Sequence, residues 1–219
     1  DRSFLQLSPD MAVITSMDPD HLDIYGTAEN LQDAFVQFAN RLKEGGYLVY
    51  KYGLPRSDEF RAGNIVSYSL DNPNAAIYAS RIEITGGLYL FDVTLPTHTI
   101  HRVELNMGGM HNIENAVAAM AIAGRLGISD DKIKAAVADF NGVKRRFEYI
   151  IRREDLVMID DYAHHPEELR ALISGAKELY PGMPCTVVFQ PHLFSRTNDL
   201  ADGFADALGV HVLADLVFQ

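Results

Sequence analysis

Four things are scarce or missing in this chain, and each narrows what it can be. No apolar run approaches the roughly 20 residues that a membrane-spanning helix needs. The opening Asp1-Arg2-Ser3-Phe4 has no basic region followed by an apolar stretch, so no signal peptide is expected. Cys185 is the only cysteine, which rules out an intrachain disulfide and favours a reducing, cytoplasmic location. Cations are also scarce: 19 Lys and Arg stand against 30 Asp and Glu, a formal net charge of −11. Nucleic-acid affinity rests largely on cation–phosphate contacts, so that partner is disfavoured. A phosphorylated small ligand is still possible, because it needs only a local cluster such as Lys144-Arg145-Arg146. One further absence bears on mechanism. No segment reads Gly-x-x-x-x-Gly-Lys-Ser/Thr, the loop whose backbone cradles nucleotide phosphates.

What remains is an ordinary globular composition, 47% hydrophobic and 22% charged over 219 residues, with neither repeats nor low-complexity segments. The chain reads in three stretches. In the first, Met11–Thr15 is a β-branched run of the buried-strand kind, and Tyr47–Tyr50 is another. Between them Thr27 can cap a helix through about Glu44, with Leu31, Phe35, Phe38 and Leu42 at helical spacing. Strand, helix, strand predicts a mostly parallel α/β sheet. The second stretch, from about Asn64 to Asn106, holds four strand-like runs with no helix between them. It predicts a small antiparallel sheet with a hairpin turn at Thr85-Gly86-Gly87. Two helices close it, one from near His111 to Gly127 and one from Ser129 to near Asn141. The third stretch returns to an α/β pattern that predicts a Rossmann-like domain. We therefore expect two domains, 1–142 and 143–219, with the boundary at Gly142-Val143.

Five segments could carry chemistry. Asp18-Pro-Asp-His-Leu-Asp23 follows a strand, where ligands of open α/β sheets bind, and His21 could ligate a metal. Taken alone, a turn rich in capping residues is the commoner meaning. Gly108-Gly109-Met-His-Asn-Ile-Glu-Asn115 opens a helix and puts Asn112 and Asn115 on one face, where two amides can meet a purine edge. Simple capping would explain Asn112 but not Asn115. Lys144-Arg145-Arg146-Phe147 suits phosphate or is a solvated linker. Asp160-Asp161-Tyr-Ala-His164-His165 lies between a strand and a helix, where a carboxylate can hold ribose hydroxyls or merely cap. Phe189-Gln-Pro-His192-Leu-Phe-Ser-Arg196-Thr197 ends the next strand and could hold an anion. A single nucleotide-and-metal cleft accounts for all five; five independent bland meanings do so only by coincidence.

In this order, DPDHLDIYG, GGMHNIENAVAA, GVKRRFE, DDYAHHPEE and FQPHLFSRT resemble the Mur ligase family, over roughly Asp1 to Leu208. The resemblance implies the later part of a central ATP-binding domain followed by an incomplete C-terminal domain, with the phosphate loop and a magnesium-binding glutamate lying upstream. It implies ATP-dependent joining of L-alanine to UDP-N-acetylmuramate through an acyl phosphate, with ATP and Mg2+ required. The chain alone is then expected to be inactive.

The same resemblance makes His21 a magnesium ligand, Asn112 and Asn115 the adenine-facing pair, and Arg146 the arginine on the ATP phosphates. Asp161 becomes the ribose carboxylate, and His164, His192 and Arg196 surround the incoming alanine. Three departures stand out. Leu193 replaces an arginine found in many relatives, which leaves the hold on the alanine carboxylate open. Ala34-Phe35-Val36 lies where other branches carry a modified lysine, and the tail Gly209–Gln219 does not continue in the expected way. Three alternatives are a sister ligase that attaches a recycled tripeptide, against which FQPHLFSRT argues, a non-catalytic nucleotide-binding module, and a His-dependent metallohydrolase, against which the lack of an HExxH-type pair argues.

Overall fold

A computed structural model describes residues 2–18, 22–191, 197–198, 200–209 and 213–216. The chain divides into two compact units. One comprises Asp1–Ile82, Phe91–Val103 and Ile113–Val137; the other comprises Glu83–Leu90, Glu104–Asn112 and Ala138–Gln219.

The first unit is built on parallel strands. β1 (Met11–Ile14), β2 (Tyr47–Lys51) and β3 (Asn64–Ser69) pair in parallel, with Met11 opposite Tyr47 and Val49 opposite Val66. β2 is the inner strand of the three, and Leu48 and Val49 have no exposed surface. A parallel strand covered on both faces must be apolar throughout its centre, and this one is. A short α1 (Leu22–Tyr25) precedes α2 (Ala28–Ala39). Thr27 caps α2 as expected, its hydroxyl accepting from the Asn30 N–H. Ala12, Ile14, Val36, Ala39, Leu48 and Phe60 form a core between α2 and the strands. The helix stops at Ala39 rather than near Glu44. The Asn40 side chain there bonds to the Glu59 carbonyl and the Arg61 N–H, which diverts the chain at the position the helix would need.

The second stretch differs from its sequence reading. β3 is followed by β4 (Ile77–Thr85), β5 (Leu88–Thr94) and β6 (Thr99–Leu105), and all of them extend the same six-stranded sheet in the order β1 to β6. β3 and β4 are parallel, pairing only Tyr68 with Ile77 and Ser69 with Tyr78. A short connection suffices because β4 starts beside the end of β3, so the chain need not travel back a full strand length. Gly86 and Gly87, both at positive φ, make the expected two-residue hairpin between β4 and β5. The small antiparallel sheet lies elsewhere, in β7 (Glu148–Arg152) and β8 (Val157–Asp160) of the second unit. α3 (Met110–Arg125) and α4 (Asp130–Asp139) follow β6.

The rest of the second unit alternates strand and helix. α5 (Pro166–Leu179) follows β8, β9 (Thr186–Phe189) comes next, then α6 (Ala201–Gly209), and β10 (Leu213–Leu216) pairs in parallel with β9. Leu169, Ile173, Phe189, Phe204, Ala207 and Leu208 are its core. Among the described residues no helix is long and apolar enough to cross a membrane.

One charged group is buried within the first unit's sheet. Asp92 on β5 is 5% exposed. Its Oδ1 accepts from the Arg102 backbone N–H at 2.8 Å, and its Oδ2 meets the His101 ring at 3.0 Å and Arg81 at 2.8 Å. Arg81 and Arg102 both take positive φ, a conformation an arginine holds only against a compensating contact. Burial pushes this carboxyl up, but the Arg102 N–H, the His101 ring and Arg81 together outweigh it and hold it below the ordinary carboxylate range. A depressed native value gives stability that is present above the unfolded value of about 4 and is lost as pH falls through the native one. Asp92→Ala is expected to cost on the order of 1–3 kcal/mol at pH 7. Urea unfolding of both proteins at pH 7 and pH 3 should show that gap narrowing in acid. A gap independent of pH would make Asp92 a packing residue only.

Candidate nucleotide-binding site

The start of α3 is set by contacts within the second unit. Gly109 takes φ +95, and a side chain on Gly108 would fall inside the ring of Phe147, itself 3% exposed. A Cβ on Gly175 of α5 would lie 2.8 Å from the Gly109 nitrogen, so helix and turn touch backbone to backbone. Tyr89, fully buried, accepts from the Gly109 N–H at 3.1 Å and donates to Glu178 Oε2 at 3.0 Å. Burial above all pushes this phenol up to about 12, so it remains a neutral hydroxyl able to do both.

From that turn α3 carries the two asparagines. Asn112 lies in its first turn, and its amide donates to the Gly108 carbonyl at 2.7 Å. Asn115 lies in the second turn, three residues on. It is exposed and has no side-chain partner among the described residues. The two therefore differ in kind. Asn112 ties the helix to the glycine turn, while Asn115 has both faces of its amide available to a ligand.

The basic segment also separates into two roles. The Arg145 guanidinium lies 5.0 Å from the centre of the Tyr162 ring and 3.7 Å from Asp160, and the Arg145 carbonyl accepts from the Tyr162 N–H. The Arg146 backbone N–H closes a turn onto the Val143 carbonyl, while its exposed side chain has no partner among the described residues.

Asp161 joins the two segments. Its Oδ2 accepts from the Phe147 N–H at 2.7 Å and its Oδ1 from the Ala163 N–H at 2.8 Å. Each oxygen keeps a lone pair for another donor. His164 Nδ1 donates to the Tyr162 carbonyl at 2.9 Å and lies 3.4 Å from Glu168 Oε2. His165 caps α5, with Glu168 returning the capping-box contacts. A cavity of about 710 Å³ is lined by Arg145, Asp160, Asp161, Tyr162 and His164 together with the apolar Ile173.

Two of the expected segments are only partly visible. Asp18 lies in a turn closed on itself, its carboxylate accepting from the Ser16 hydroxyl at 2.6 Å. His21, the expected metal ligand, lies outside the described residues, as do His192, Leu193 and Arg196. Among the described residues no three His, Cys, Asp or Glu side chains converge as a metal would require. Sequence reasoning missed Tyr89, Gly175 and Glu178, whose contacts join residues distant in the chain, and the packing of Phe147 on Gly108. Lys51 could have been noticed, because it stands at the carboxyl end of a parallel strand.

Comparison with known proteins shows the family to which the chain belongs. A family model of the Mur ligase middle domain matches residues 2–123, and one of the Mur ligase, glutamate ligase domain matches residues 145–218. The first covers more than half of the chain, and the chain belongs to the Mur ligase family. It is similar to proteins named UDP-N-acetylmuramate–L-alanine ligase: 47% identical over 208 residues to that of Christiangramia forsetii, and 47% over 213 residues to that of Porphyromonas gingivalis. These alignments take in 95% and 96% of this chain but 44% and 46% of the relatives, so the chain spans about half the length of the curated relatives it matches. The crystal structure of UDP-N-acetylmuramate-alanine ligase from Thermotoga maritima superposes with a TM-score of 0.81 at 25% identity, covering 100% of this chain and 48% of that one. The MurF ligase of Thermotoga maritima, solved in complex with ADP, shares the fold with a TM-score of 0.74 at 19% identity, over 95% of this chain and 48% of that one.

The crowding at the glycine turn makes a direct prediction. Gly108→Ala should destabilise the protein by roughly 1–3 kcal/mol, because the new methyl must displace a buried ring. Phe147→Leu in the same chain should recover part of that loss. Melting temperatures of the single and double variants test it, and an unchanged melting temperature for Gly108→Ala would show that the turn has room.

Proposed function

We propose that this chain forms part of an ATP-dependent ligase that joins L-alanine to UDP-N-acetylmuramate in peptidoglycan synthesis, a cytoplasmic reaction. The observation that carries the proposal is the exposed amide of Asn115, without a partner among the described residues, on a helix whose start is tightly held. It occurs in a chain that aligns over 95% of its length, at 47% identity, with a relative named for that reaction. The two family matches leave residues 124–144 between them, and the proposed domain boundary at Gly142-Val143 falls there.

In this reading Asn115 meets the adenine edge, and Asn112 holds the turn while offering its remaining acceptor. Arg146 reaches the ATP phosphates, and Asp161 receives a ribose hydroxyl on the lone pairs its backbone contacts leave free. His164, His192 and Arg196 surround the alanine, and His21 is a ligand for Mg2+, which would neutralise charge on the transferring phosphoryl group. The muramate carboxylate takes the γ-phosphoryl group of ATP, giving an acyl phosphate and ADP. The alanine amine then attacks the acyl carbon, phosphate leaves with its bonding electron pair, and the nitrogen loses a proton. Arg146 stabilises the charge that develops in the first step.

Two outcomes are expected. The chain by itself, lacking a Gly-x-x-x-x-Gly-Lys-Ser/Thr loop, should release no phosphate from ATP in response to alanine and UDP-N-acetylmuramate; measurable release would sink the assignment of the phosphate cradle to a segment outside it. In an intact ligase that contains this chain, Arg146→Ala should lower turnover on the order of 10²–10³-fold with little change in melting temperature. Arg146→Lys should restore part of the loss, because it keeps the charge without the planar fork. Arg145→Ala, which removes a ring contact, should be milder. Turnover equal to wild type in Arg146→Ala would remove that residue from the site.

A further inference from the structure

Lys51 has no part in the mechanism above, yet its placement ties it to α3. It is the last residue of β2, the strand flanked by β1 and β3. Its ammonium donates to Glu114 Oε2 at 2.9 Å, across 63 residues of sequence. The Glu114 side chain is 17% exposed and that of Lys51 is 41%. Glu114 stands between Ile113, which has no exposed surface, and Asn115, which is exposed.

These neighbours constrain the helix in different ways. Ile113 and Val117, both fully buried, anchor one face of α3 in the core, but apolar contact is non-directional. A charge-assisted hydrogen bond from a strand end to the next helical position is directional. It fixes how far the helix is turned about its own axis, and that sets where the next side chain points. Burial raises the phenol of Tyr68 on β3, and the charge of the Glu114 carboxylate raises it further.

We propose that Lys51 is a positioning residue for nucleotide recognition, acting through Glu114 to set the direction in which α3 presents the Asn115 amide to a purine. The proposal rests on the reading that Asn115 faces adenine. Because the pair is partly solvated, its effect should be a few-fold rather than all-or-none.

The test uses an intact ligase that contains this chain, and reads KM for ATP, kcat, the ratio of activity with ATP to activity with GTP, and melting temperature. Lys51→Met and Glu114→Gln should each raise KM for ATP roughly three- to tenfold, leave kcat within about twofold, and flatten the ATP-to-GTP preference. Lys51→Arg should remain near wild type. The charge-swapped pair Lys51→Glu with Glu114→Lys should recover part of the loss that either change causes alone. Asn115→Ala is the reference: it should raise KM and abolish the purine preference. If Asn115→Ala does so and Lys51→Met does not, the positioning role is overturned while the adenine reading stands. If Asn115→Ala changes nothing, the adenine reading falls and this proposal with it. A loss of kcat at constant KM would put Lys51 on the reacting phosphoryl group instead. A fall in melting temperature with an unchanged purine preference would leave the pair merely structural.

Discussion

The glycine turn before α3 is a place where no side chain fits, and much of the site depends on that crowding. Phe147 fills the space a Gly108 side chain would take, and Gly175 brings the α5 backbone against Gly109. Tyr89 closes the arrangement by bonding to both Gly109 and Glu178. A helix that begins under such constraint begins at one residue and no other. Its third and sixth positions, Asn112 and Asn115, are thereby determined, and Glu114 between them falls within reach of Lys51. The steric exclusion is cheap to encode, needing only two adjacent glycines, and it converts a loop into a reference point for the polar groups that follow.

Those polar groups divide by how many of their hydrogen bonds the protein itself consumes. Asn112 and His165 are spent on backbone partners and hold segments in place, while Asp161 takes two backbone N–H groups and keeps a lone pair on each oxygen. Asn115 and Arg146 are exposed, with side chains unpartnered among the described residues. A group already bonded gains little by turning to a ligand, whereas a free amide or guanidinium meets one without first breaking a contact. Adjacent or near-adjacent residues of similar chemistry thus do different work: Arg145 leans on Tyr162 while Arg146 stays free, and Asn112 anchors while Asn115 projects. The same logic, in reverse, applies to Asp92, where a carboxylate buried among its partners supports two arginines in an uncommon backbone conformation.

Most elements were visible in the order of residues because their signals are local. The spacing of Leu31, Phe35 and Phe38 marks α2, the paired glycines mark the β4–β5 hairpin, and β-branched runs mark β1 and β9. The motif set carried the family. Pairing was harder to read. The four strands from Asn64 to Asn106 lack helices between them, which suggested a sheet of their own, yet they extend the sheet begun by β1 and β2. Alternation along a strand says which face is buried, and nothing in it names the neighbour.

By itself, then, the sequence determined most elements, the Thr27 cap, the turn glycines and the chemical types available at each strand end, because propensity and periodicity act over a few residues. Tertiary structure alone decided which of those groups are free. Whether Asn112 or Asn115 projects, whether Arg145 or Arg146 is held, and whether Lys51 finds a carboxylate 63 residues away all depend on which segments become neighbours when the core closes. That choice is made by burial, which is non-directional and shared among many residues, and so no single residue announces it.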